Sequence, residues 1–280
     1  MQQNYHKRIT AKHRLLDLKL KEVWKYRELI GLFTKRNVTV GYRQTILGPL
    51  WLFINPLLTS IVHLVVFGRI AKLGTEGVPQ LLFYLSGNAL WAFFSSSGLG
   101  NAGTFLSNEH LFGKVYFPRL TIPISVVLSS AIKYAIQMIL VFGLLIYYVI
   151  AGSVSPNYPA WPLIPVILIW LGLMAMGVGI IISSLTIKYR DLSVLVSFGM
   201  QLWLYASPVV YPLSTLSGTL KSVMLFNPVT APIELYRYAL LGVGTVTPLS
   251  VAVSVCFTAL VLLLGVILFN KVERNFLDTV

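Results

Sequence analysis

Long stretches without a single charge alternate, in this chain, with short breaks that carry Lys and Arg. Twenty-five uncharged residues separate Arg43 from Arg69, and 32 separate Glu76 from Glu109. A helix needs about 20 apolar residues to cross the ~30 Å hydrocarbon core of a bilayer. Only helices and closed barrels satisfy their backbone groups at that depth. The runs therefore predict an all-α membrane protein. They exclude a soluble globule, because a chain of 280 residues that is 56% apolar and 11% charged could not cover a water-facing surface.

Six transmembrane helices are expected, near residues 47–70, 81–106, 121–150, 163–187, 192–210 and 249–269. Three prolines between Gly152 and Pro162 mark the turn after the third, and Lys188 to Asp191 form the polar break after the fourth. Between the fifth and sixth, Leu213 to Phe226 and Pro228 to Leu241 are apolar but hold only 14 residues each. As helices these would be about 21 Å long, short of a full crossing. Pro208, Pro212, Pro228 and Pro232 punctuate them. The pattern predicts a re-entrant helical hairpin over 213–241, with a surface loop of two amphipathic helices as the alternative.

The chain is expected to divide into a basic arm, 1–46, and a transmembrane permease domain, 47–280. The arm holds 11 Lys and Arg against Asp17, Glu22 and Glu28, a net +8, and has no apolar core of a secretory signal. Within it, Asp17 to Thr34 reads as an amphipathic helix lying in the membrane interface. Leu16, Leu20, Val23, Ile30 and Phe33 fall near one face, and Trp24 and Tyr26 are its interfacial aromatics. A basic arm can also bind nucleic acid, but one tethered beside a span meets anionic lipid headgroups first, so membrane lipids and no nucleic acid are expected as partners. Of the 22 Lys and Arg, 17 fall on the side of the N-terminal arm, four on the other side, and Lys133 within a span. This asymmetry puts both termini in the cytoplasm.

Catalytic groups are sparse. The single Cys256 allows no intramolecular disulfide, no G-x-x-x-x-G-K-[ST] loop occurs, and no metal-ligand cluster is spelled out. Glu234 is the only acid in an apolar segment, three residues from Arg237, and pairing between the two is the expected arrangement. No cofactor is expected in this chain, and any ATP-driven work needs another subunit.

Polar and aromatic stripes do recur. Trp51, Asn55, Thr59, His63 and Phe67 are spaced by four in the first span, Ser125, Ser129, Lys133 and Gln137 in the third, and Ser197, Gln201 and Tyr205 in the fifth. Lipid rejects such faces, so they turn inward, either to bond neighbouring helices or to wall a pathway. Between Ser107 and Arg119 a short loop mixes charge with Leu111, Phe112, Val115 and Phe117, side chains that need a partner groove or the membrane interface to cover them.

The chain resembles the permease subunit of type-2 ABC transporters of the polysaccharide, O-antigen and teichoic-acid export group. The likeness lies in Trp24-Lys-Tyr-Arg-Glu-Leu-Ile, in Tyr42-Arg-Gln-Thr-Ile-Leu-Gly-Pro-Leu-Trp51, and in the Lys-x-x-Phe-Pro-Arg ending of Asn108 to Arg119. Lys188-Tyr-Arg-Asp-Leu192, Ser207-Pro-Val-Val-Tyr-Pro212 and Asn227-Pro-Val-Thr-x-x-Ile-Glu-x-Tyr-Arg237 follow in order. The resemblance implies a homodimer with two ATP-binding-cassette subunits, which would hold ATP and Mg²⁺, in a bacterial cytoplasmic (inner) membrane. Its cargo would be a glycan or polyol-phosphate polymer on undecaprenyl diphosphate. A drug, a lipid or another small molecule is the alternative cargo for the same fold.

Residue by residue, Asn108, Glu109, Leu111, Phe112, Lys114, Phe117, Pro118 and Arg119, with Arg190 and Asp191, would contact the ATPase. Trp51, Asn55, Thr59, His63, Gln201, Trp203, Tyr205 and Tyr211 would wall the pathway and offer aromatic faces to sugars. Lys35, Arg36 and Arg43 are candidates for the lipid diphosphate, or serve only to set topology.

Overall fold

A computed structural model describes residues 20–42, 45–108, 111, 117–187, 189 and 191–276. Among the described residues the molecule is all helix and turn, with no strand. Helix α1 (Leu20–Lys25) breaks at Tyr26 and continues as α2 (Arg27–Val40). No Gly or Pro interrupts α2 between Thr34 and Gly41, so it runs on past the expected end at Thr34.

Helix α3 (Trp51–His63) opens with a tight turn over Gly48–Leu50, where Gly48 takes φ +49, and passes through Pro56. Its continuation, Leu64–Ile70, widens to π-helix. Then come α4 (Gln80–Ala102), α5 (Thr104–Ser107), α6 (Thr121–Ile150), α7 (Leu163–Thr186) and α8 (Leu192–Tyr205). The chain finishes with α9 (Gly218–Leu225), α10 (Thr230–Leu241) and α11 (Pro248–Phe276).

Among the described residues, four segments are long and apolar enough to cross a membrane: Gly48–Ile70, Thr121–Ile150, Leu163–Thr186 and Pro248–Val272. Helix α4 is as long, at 23 residues, but of different composition: Ser, Gly and Asn recur along it, and 16 of its residues are buried. It is the centre of the bundle, packed by α3, α6, α7 and α8, so its neighbours rather than lipid form its solvent. The α4–α7 contact depends on Gly179, where a Cβ would lie 2.4 Å from Asn101 Cβ and 2.6 Å from Gly98 O.

One apolar core surrounds α4, with Phe83, Tyr84, Leu85, Leu90, Phe94, Leu171 and Tyr236 at its centre. A smaller one gathers Phe105, Phe117, Ile122, Ile180 and Phe269 at the end of the bundle where α2 rests. Helix α10 is short yet buried at ten of 12 positions, against α7, α11 and α4. It ends at Gly242, in the left-handed conformation (φ +75) that closes many helices. A side chain there would meet Ser155 O at 2.4 Å, so both backbone and space require glycine.

Candidate functional site

Each step of four residues turns a helix about 40° past a full turn, so a stripe of that spacing slants. On α3 the slant divides the expected pathway residues between two faces. Trp51 is partly buried, Asn55 and Thr59 are exposed, and His63 is buried. His63 Nδ1 lies 3.1 Å from Asn88 Oδ1, Asn88 Nδ2 donates to Ser60 Oγ at 3.0 Å, and Ser60 Oγ donates to Pro56 O at 2.7 Å. This chain of bonds joins α3 to α4. Asn55 and Thr59 are left facing outward with Leu58 and Val62.

The His63 ring is the hinge of an aromatic group. Phe67 stands 5.6 Å from it, and Tyr84 and Tyr205 each 6.4 Å, all near edge-on. Tyr205 belongs to α8, so this group brings together the two helices expected to share the pathway. The buried Tyr84 hydroxyl has no hydrogen-bond partner among the described residues.

Helix α8 buries only Met200. Gln201 and Tyr205 are exposed beside Val194, Leu195, Phe198 and Leu202. Trp203 and Tyr211 differ from these two. The Trp203 indole N–H donates to Asn227 Oδ1 at 3.1 Å, and its ring meets Phe94 at 5.4 Å and Trp91 at 6.4 Å. The Tyr211 hydroxyl donates to Tyr205 O at 3.2 Å. Both polar ends fix the turn after α8, and Asn227 Nδ2 completes it by donating to Ala206 O at 2.6 Å and Ser207 Oγ at 3.0 Å.

At the other end of the bundle, α2 is joined to the segment between α5 and α6. Arg36 Nη2 donates to Asn108 Oδ1 at 3.4 Å, and its guanidinium lies 4.9 Å from the Phe33 ring centre, within cation–π range. Phe33 in turn meets Phe117 at 5.8 Å. Asn108 is itself held by its Nδ2, which donates to Thr104 O at 2.9 Å. Phe117, Pro118 and Arg119 are buried, Leu111 is partly buried, and Asp191 is exposed at the start of α8. Glu109, Phe112, Lys114, Arg190 and Arg43 lie outside the described residues. Lys35 is exposed and lines a mostly apolar groove of about 630 Å³ between α2 and α6, with Gly31, Thr34, Leu128 and Ala131. Of the three candidates for a lipid diphosphate, Lys35 faces this groove and Arg36 the Asn108 amide.

Sequence reasoning found no acidic or Cys partner for His63 and favoured a packed, hydrogen-bonded ring, which the bond to Asn88 provides. Asn88 and Ser60 themselves were passed over, and Asn227 was noted only as part of a motif. Asn88 carried a signal: an amide in the middle of 32 uncharged residues has to find a bond inside the bundle. The expected pair on α10 is present, with Arg237 Nη1 3.3 Å from Glu234 Oε1 and both side chains buried.

Lipid-length helices around a polar central helix, with an aromatic seam between α3 and α8, define a multi-span membrane protein of the transporter class. The chain belongs to the ABC-2 type transporter family, whose model matches residues 28–241. It is 26% identical to the O-antigen export system permease protein RfbA of Klebsiella pneumoniae over 90% of this chain and 94% of that protein. The protein of the same name from Myxococcus xanthus is 29% identical over 78% of this chain and 82% of its own length. The polysialic acid transport protein KpsM of Escherichia coli is 23% identical over 87% and 93%.

Proposed function

We propose that this chain is the transmembrane subunit of an ATP-driven exporter that moves a polysaccharide across the bacterial inner membrane. One observation carries the reading: family members with different cargoes in their names, O-antigen and polysialic acid, align along 78–90% of this chain, and both cargoes are polysaccharides. ATP hydrolysis then belongs to a separate subunit, with its ATP and Mg²⁺.

The working unit is two copies of this chain with two ATPases. The exposed flank of α8 supports this, because Ser197, Gln201 and Tyr205 are poor lipid-facing groups and are better placed against water or a second copy. In this reading the chain crosses six times, with α4 and α8 among the crossings, α9 and α10 as the re-entrant hairpin, and both termini cytoplasmic. The basic arm, 1–46, carries the interface helix, and 47–280 form the transmembrane domain.

Closure of the ATPases on ATP pushes the 108–119 segment and Asp191. Because Arg36 and Phe33 join α2 to that segment, the interface helix follows. The α3–α8 seam then widens, and Asn55, Thr59, Gln201 and the Tyr205 ring line the way. Flat aromatic faces suit sugars of many kinds, which lets a polymer slide. The polymer travels on a lipid diphosphate, undecaprenyl diphosphate by the family resemblance, with Lys35 offering a cation near the inner headgroups.

The test is genetic and biochemical. Deleting the gene should abolish one surface polysaccharide and leave its lipid-linked precursor inside the cell, and the purified complex should contain an ATP-binding-cassette subunit. Unchanged surface glycan, with a drug or simple lipid accumulating instead, would overturn the reading.

A further inference from the structure

Arg237 makes more contacts than its partner Glu234 requires. Its Nη1 donates to Pro208 O at 2.5 Å and lies 3.4 Å from Tyr211 O, and its Nη2 donates to Val209 O at 2.6 Å. The guanidinium also covers the Phe83 ring of α4 at 3.9 Å. Glu234 accepts from Leu213 N at 3.4 Å and from Thr245 N at 2.8 Å. Gly87 of α4 leaves room for this knot, since a Cβ there would lie 3.0 Å from Val209 O and 3.4 Å from Arg237 Nη2. One residue of α10 thus gathers the carbonyls of the turn that ends α8. Helix α8 buries only Met200, so it is held mainly at this end, by Arg237 together with the Trp203 and Ala206 bonds to Asn227. A planar fork that is always charged suits this task, and a Lys ammonium cannot reproduce it.

We propose that Arg237 is a positioning residue that makes the outer end of α8 and the α9–α10 hairpin move as one body. When the α3–α8 seam widens, the hairpin is carried with it, so the outer end of the pathway opens in the same step. The proposal rests on the exporter reading, because it assigns the hairpin to that pathway.

The experiment uses the full chain assembled with its ATPase, carrying Cys256→Ser and spin labels at Leu202→Cys on α8 and Tyr238→Cys on α10, both exposed positions. Between the nucleotide-free and ATP-trapped states the 202–238 distance should change by less than about 2 Å, well short of the about 5.4 Å by which one element ratchets a full turn past another. Arg237→Lys should broaden that distance and lower glycan export about tenfold while ATP hydrolysis continues. Gly87→Ala, which crowds the same knot and keeps every charge, should do the same in milder form.

A change of several Å in the unsubstituted protein would overturn the proposal. So would a narrow distance and full export in Arg237→Lys. If the unsubstituted complex moves no glycan at all, the exporter reading falls, while the distances still decide whether the two elements move together.

Discussion

Gly179 and Gly143 are both helical glycines in apolar surroundings. Gly179 stands in a small-residue stripe with Ala175 and Ser183 that suits close helix packing, whereas Gly143 lies between Ile139 and Tyr147. The tertiary contacts agree. A Cβ at Gly179 would overlap α4, whereas nothing lies within 4 Å of one at Gly143. Gly179→Ala should therefore cost about 1–3 kcal/mol through overpacking. Gly143→Ala should stay within about 0.5 kcal/mol of the parent, as surface changes usually do. Thermal unfolding of the purified protein in detergent measures both.

Asn88→Leu tests a different force at the same scale. It removes the partner of His63 and the donor to Ser60 at once, leaving the buried His63 Nδ1 unpaired at a cost of about 1–3 kcal/mol, while Ser60 keeps its bond to Pro56 O. An unchanged midpoint would mean that His63 finds water instead. The pairing of Glu234 with Arg237 was legible in the sequence, since a spacing of three fixes it on any helix. The backbone carbonyls around Arg237 were not, because they come from a turn 25 to 30 positions away whose path the spacing does not encode.

At the scale of elements, α2 and the segment before α6 behave as one unit through Arg36, Phe33, Asn108 and Phe117. The sequence expected the 108–119 segment to touch an ATPase and the helix to lie in the membrane interface, and gave no sign that they touch each other. Arg36→Ala breaks the bond to Asn108 and the contact with Phe33, while Asn108 keeps its bond to Thr104 O. Its expected effect, in proteoliposomes holding the complex, is export lowered relative to ATP hydrolysis by about 3- to 30-fold, the range of a coupling contact. Export and hydrolysis falling together would show that Arg36 serves stability alone.

For the molecule as a whole, the question is which surfaces meet lipid and which meet water. Asn55 and Gln201 share the outward flanks of α3 and α8, while Ile139 on α6 and Ile169 on α7 are 64% exposed on apolar faces. In a Cys256→Ser background, cysteines at 55 and 201 should react with a small charged thiol reagent. Cysteines at 139 and 169 should stay protected, because a thiol in hydrocarbon stays protonated and is out of the reagent's reach. Equal labelling of all four would place the pathway elsewhere.

The sequence by itself determined that this is a helical membrane protein, because the length of an uncharged run is a local property and the bilayer sets its own threshold. It also carried the family, since motifs in register need no coordinates. Only the tertiary structure decided which side of each polar stripe is spent on holding helices together. Asn55 and His63 are two turns apart on one helix, yet one is exposed and the other locked to Asn88. That division depends on where α4 lies, and α4 is placed by contacts between residues far apart along the chain.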